Sequence, residues 1–143
     1  MNAIPELPAV VRSSVPDASD SVFIRMRRLS REVTDIHDAE LRAFGISGVQ
    51  FSLLETIGRM QPTTRADIAR KQDLDKSTLT RDLKLIFLKG WVEEVPEGAN
   101  GRSRPIALTK SGEKLLIDAE PAWFAAQDQV RLLLSKQGFI VEG

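Results

Sequence analysis

Apolar positions recur along most of this chain with the period of a helix. Between Asp17 and Phe44, Val22, Met26, Leu29, Val33 and Ile36 are spaced 4, 3, 4 and 3, which sets them in one stripe on a helix. Arg25, Arg28, Arg31, Glu32, Asp35 and Asp38 fall on the other face, and Gly45 supplies a stop. A second helix is expected from Ser47 to Met60, with Phe51, Leu54 and Ile57 inward. Past the break at Gln61-Pro62-Thr63-Thr64, Thr64 reads as an N-cap with Asp67 three places on, an acidic variant of the capping box. The short helix it opens has Ile68 and Ala69 as its core face. After a tight Asp-Leu-Asp connection, Asp75 caps a third helix, which Gly90 ends.

The period then changes. Trp91-Val92-Glu93-Glu94-Val95 and the run from Arg102 to Thr109 are short β-type stretches around Pro96, Gly98 and Asn100-Gly101, so a hairpin is expected. Thr109 caps a further helix from Ser111, and Trp123, Ala126, Val130 and Leu133 carry its apolar stripe towards Gly138. This last helix reads as short, with Pro121 either kinking it or starting a new one. The fold class is therefore mainly α with a small β-hairpin. The order helix, short helix, tight turn, capped helix, hairpin is that of a winged helix-turn-helix over about residues 46–110. Helices at about 18–44 and 111–137 flank it, in one domain over 18–143. Residues 1–17, with three prolines and no basic-then-apolar order of a signal peptide, are expected to be a flexible arm of a cytoplasmic protein.

Net charge is zero over 143 residues, but its distribution is uneven. Residues 59–110 carry 11 basic and 7 acidic groups, a net +4; residues 1–58 carry 6 and 8, and residues 111–143 carry 3 and 5, each a net −2. The basic middle is where an anionic partner would bind. With no cysteine, disulfides, Cys-ligated zinc and thiol redox sensing are excluded. The single histidine, His37, argues against a His-built metal site, and no cofactor is expected. No phosphate-binding glycine loop or spaced nucleophile–base pair suggests an enzyme, and no apolar run approaches the ~20 residues of a membrane span.

A recognition helix must bury one side and offer the other to the major groove. Leu79, Leu83 and Ile86, spaced 4 and 3, form the buried side of the third helix. Ser77, Thr78, Thr80, Arg81 and Lys84 are left on or near the other. Short hydroxyl residues at a helix N-terminus can bond phosphates or base edges, and the helix dipole favours an anion there. Arg81 can reach a guanine edge or a phosphate. Arg65, at the start of the preceding helix, is placed for a backbone phosphate. Arg102 and Arg104 sit at the hairpin tip. Singly, each residue has a plainer reading: a cap, or a solvated side chain. Their order in one basic segment is what points to DNA.

Residues 44–117 resemble the MarR family of bacterial transcription regulators. The motifs are DKSTLTRDLKLIFLKGWVEE, from Asp75, and NGRSRPIALTKSGEKLL, from Asn100. The resemblance implies a dimer of interlocked terminal helices that meets a pseudo-palindromic operator, usually as a repressor. It places Arg102, six residues before Leu108, at the wing arginine that enters a minor groove, where narrow grooves attract arginine. Val22, Met26, Leu29, Val33, Trp123, Val130 and Leu133 become the candidate dimer interface. His37, Phe44, Trp123 and Phe124 become a candidate pocket for a small amphipathic or aromatic effector, against a plainer reading as core aromatics and one surface histidine. Asn100 stands where the family has a wing aspartate, and Leu85 and Phe87 where charged residues are commoner. These departures leave open an alternative, a winged-helix module that binds protein and not specific DNA.

Overall fold

The structure, a computed structural model, describes residues 21–96 and 104–139. The expected N-terminal arm and the hairpin tip with Arg102 lie outside them. The chain falls into two compact units, Met1–Asp35 and Ile36–Gly143. In the first, the described part is the start of helix α1 (Val22–Leu41), where Leu29 is buried, Val33 is half-buried, and Val22, Phe23 and Met26 are exposed.

The second unit begins with the end of α1 and a 3-10 turn (Arg42–Phe44), closed by Gly45 at φ +70°. That left-handed backbone favours glycine. Helix α2 (Gly48–Met60) starts on a full capping box: Ser47 accepts from the Gln50 amide while Gln50 accepts from the Ser47 amide. Gly48 has the end of α1 against it, because an added Cβ would lie 2.8 Å from that of His37. Phe51, Leu54 and Ile57 are buried as expected, and so are Leu53 and Thr56. α2 is covered on more than one side because it packs against α3 (Arg65–Gln72), α4 (Lys76–Leu88), β2 (Ile106–Leu108) and α5 (Lys110–Lys136). One core runs through all of these elements, with Ile57, Ile68, Ile86 and Ile106 fully enclosed. Gln72 ties α3 to α2 by donating to Thr56 Oγ1 (2.7 Å) and Ser52 Oγ (3.0 Å).

Strand β1 (Val92–Glu94) pairs antiparallel with β2 in the register Val92–Leu108 and Glu94–Ile106. Thr63 bridges to Ile106, and Gln61 accepts from the Leu108 amide at 2.8 Å, so the stalk of the hairpin is fastened to the chain that follows α2.

α5 corrects the expectation of a short or broken C-terminal helix. It runs unbroken for 27 residues with Pro121 inside. Proline removes one amide donor and crowds the carbonyl four residues back, a local cost of about 3 kcal/mol. Ala119 before it and Ala126 and Val130 after it are all buried, so packing on both sides keeps the helix in line. No helix among the described residues is long and apolar enough to cross a membrane.

Candidate nucleic-acid interface

α3 and α4 are built by local chemistry. Thr64 accepts from the Asp67 amide at 3.1 Å, which caps α3. Asp73 then turns the chain in the left-handed region (φ 53°), a conformation aspartate tolerates, and Leu74 packs on the core. Asp75 caps α4 by accepting from the Thr78 amide (2.7 Å) and the Ser77 hydroxyl (3.0 Å). These bonds, the Thr78 amide first, hold the Asp75 carboxyl below its usual value of 3.8. Gly90, at φ +76°, and the Trp91 amide close the far end on the carbonyls of Phe87 and Ile86.

The capped helix has two distinct sides. Leu79, Leu83 and Ile86 are buried, whereas Lys76, Ser77, Thr80, Arg81 and Lys84 are exposed. Thr78, expected beside them, is half-buried. The Thr80 hydroxyl donates to the Lys76 carbonyl (2.8 Å), which leaves its lone pairs outward as acceptors. Between α3 and α4 lies a hollow of about 450 Å³, with Leu79 and Ala69 in its lining and Arg65, Lys76 and Thr80 around them. Lys76, Arg81 and Lys84 are all exposed along α4, with Lys76 and Arg65 at the edge of that hollow, a surface suited to a polyanion.

Arg65 and Arg104 are drawn to a residue that the sequence reading did not single out. Glu94, the last residue of β1, takes Arg65 Nη2 on Oε1 (2.8 Å) and Arg104 Nη1 on Oε2 (3.7 Å). The Arg65 guanidinium carbon also lies 5.7 Å from the centre of the Phe87 ring. Phe87 packs on the core, and Leu85 and Leu88 stay exposed. Glu94 carries no sequence signal beyond the acidic pair Glu93-Glu94, because its partnership with Arg65 spans 29 positions.

The remaining candidates separate. His37 is buried, which corrects its reading as a surface histidine: its ring centre is 4.6 Å from that of Trp123, and Nε2 is 3.2 Å from Gln127 Oε1. Trp123 in turn stacks on Phe51, centre to centre 4.6 Å at 19°. Phe44 and Phe124 are exposed. Val130 is buried within the single chain, and Leu133 is half-buried. Ile117 and Leu132, which the stripe reading missed, are exposed on α5 together with Phe124. A cleft of about 480 Å³ lies between α2, β2 and the first half of α5, lined by Phe51, Glu55, Leu108, Leu116 and Ile117 among others. Among the described residues no group of three or more His, Asp or Glu side chains is placed to hold a metal ion.

A sequence model of the MarR family matches residues 44–103. The HTH-type transcriptional regulator YdgG of Bacillus subtilis is 35% identical over 83 residues, 57% of this chain and 55% of YdgG, so the chain spans little over half the length of that relative. SarZ, an HTH-type transcriptional regulator of Staphylococcus haemolyticus, is 30% identical over 101 residues, 71% of this chain and 66% of SarZ. Among solved structures, the M. tuberculosis transcriptional regulator MosR in complex with DNA superposes with a TM-score of 0.68 at 30% identity, over 79% of this chain and 82% of that one. The fold, the motifs on α4 and the hairpin, and these likenesses agree: the chain belongs to the MarR family of winged helix-turn-helix transcriptional regulators.

Proposed function

We propose that this protein binds double-stranded DNA sequence-specifically, as a cytoplasmic homodimer on a pseudo-palindromic operator, and represses transcription by occupying it. One observation carries the reading: α4 exposes Ser77, Thr80, Arg81 and Lys84 opposite the buried Leu79, Leu83 and Ile86. A helix with that division can enter a major groove while anchored to its own core. Arg65, Thr78 and Arg104 are assigned to the same surface as backbone contacts, and Arg102, outside the described residues, is assigned to the minor groove by the family resemblance alone. The MosR complex, in which a similar chain is bound to DNA, supports it.

The dimer is supported by apolar surface left open on each terminal helix: Val22, Phe23 and Met26 on α1, and Ile117, Phe124 and Leu132 on α5. Surfaces of this kind on a monomer mark interaction sites. Val33, Trp123 and Leu133, half-buried within the chain, stay assigned to that interface, whereas Leu29 and Val130 are already buried within the chain. A small amphipathic or aromatic effector is a further part of the proposal. The cleft beside Phe51 has the size of ligand sites, about 300–1,000 Å³. The His37–Trp123 pair is already in contact, so an effector using it must displace that contact.

The test is a mobility-shift titration with the DNA upstream of the protein's own gene, unrelated competitor and near-physiological salt. A shift that survives competitor, with footprints about 10 bp apart centre to centre, is the expected result. The second reading, a protein-interaction module, is favoured by Leu85 and by Leu88, which is 75% exposed on the outer end of α4. Affinity no higher for any candidate operator than for random DNA supports that reading over the first.

A further inference from the structure

We infer that Glu94 is a built-in counter-ion to the DNA-facing arginines: it holds Arg65 and Arg104 in the free protein, and a DNA phosphate has to take its place. The inference rests on the DNA-binding reading above and deepens it. The two carboxylate oxygens of Glu94 are claimed by different guanidinium groups, one from the first turn of α3 and one from the chain entering β2. Backbone pairing fixes the Glu94 backbone there, through the Glu94–Ile106 register and the bond from the Val95 amide to the Pro105 carbonyl (2.8 Å), and so sets where its side chain starts. The Phe87 ring limits where the Arg65 guanidinium can lie.

Stability alone is a poor reason for this arrangement. The side chains of Arg65, Arg104 and Glu94 are 47%, 72% and 31% exposed, and pairs so wet contribute little to folding. A phosphate presents arginine with paired oxygens much as a carboxylate does, so exchange of one for the other is geometrically simple. The exchange has an electrostatic consequence. Each arginine that moves to a phosphate releases a counter-ion from DNA, but Glu94 is left as a bare anion beside a polyanion and takes up a cation. Part of the salt-dependent, sequence-independent affinity is thereby cancelled, so Glu94 restrains attachment to arbitrary DNA.

The test is Glu94→Gln in the full chain, which keeps shape and removes charge. Affinity for a labelled duplex of unrelated sequence is followed by fluorescence anisotropy across salt concentration, with thermal melting to establish that the variant is folded. The expected result is a salt slope steeper by about 0.9, the value of one phosphate contact. Affinity should be about tenfold higher near 0.05 M salt, with the two proteins converging towards 1 M. In an Arg65→Ala background the same substitution should recover less than half of that steepening. An unchanged slope, or weaker binding by Glu94→Gln, overturns the inference, the second because it makes Glu94 a residue that positions the arginines for DNA. A wild-type protein with no salt-dependent affinity for any duplex removes the functional reading itself, and the inference with it. Wild-type binding with an unaltered Glu94→Gln slope removes the inference alone.

Discussion

Arg81 stands two positions after Leu79 and two before Leu83, so the spacing that buries both leucines leaves its guanidinium in solvent. Under the proposed function, Arg81→Ala costs about 1–3 kcal/mol of operator affinity if the side chain reads a base, with little change in folding stability. Anisotropy on operator and scrambled duplexes checks this; equal affinities of variant and wild type for both would remove Arg81 from the interface. Asp75 is a second residue whose role is local. Its carboxyl is held below 3.8 by the Thr78 amide. A carboxyl with a lowered folded value stabilises above its unfolded value, and that contribution fades as pH falls through the lowered one. Stability conferred by Asp75 is thus constant near neutrality and lost only below about pH 4. Asp75→Ala should lower the melting temperature at pH 7, and the gap from wild type should narrow as the pH is taken towards 2. Caps such as Thr64, Asp75 and Thr109 were legible in sequence because donor and acceptor lie three residues apart. The Arg65–Glu94 pair was not, because only the fold brings those positions together.

At the scale of elements, the joint between the hairpin and α5 depends on Gly112. An added Cβ would sit 2.1 Å from the Trp91 carbonyl oxygen, a backbone atom that cannot swing aside. The close approach lets Thr109 serve both sides: its hydroxyl donates to the Gly90 carbonyl (2.6 Å) and accepts from the Gly112 amide (3.1 Å). Gly112→Ala is expected to destabilise the protein by about 3 kcal/mol despite alanine's better helix propensity. Urea unfolding checks it, and a stability equal to wild type would show that the helix can move away at no cost. Pro121 is the converse case. It carries a strong local signal for a break, yet α5 passes through it because Ala119 and Ala126 are packed on either side. Neither outcome is visible in a window of sequence, since both turn on what lies across from the residue.

For the whole molecule, the apolar positions left open on α5 set the assembly prediction. If the chain pairs as proposed, replacing Phe124 with Glu should weaken self-association at least tenfold, about 1.4 kcal/mol, in sedimentation velocity, and weaken operator binding with it. Unchanged association would exclude this face from the dimer. The helical periods, the turn residues and the caps act over a few positions, so the element order, the two sides of α4 and the family resemblance could all be read along the chain. Burial of Leu79, Leu83 and Ile86 followed from spacing alone. Other features depend on contacts between distant positions: the fastening of Arg65 and Arg104 to Glu94, the enclosure of His37 against Trp123, the continuity of α5 and the closeness of Gly112 to Trp91. Local dihedral preference and amphipathic period are properties of neighbouring residues. Charge pairing, ring stacking and close approach across the core come into being only when packing brings remote segments together.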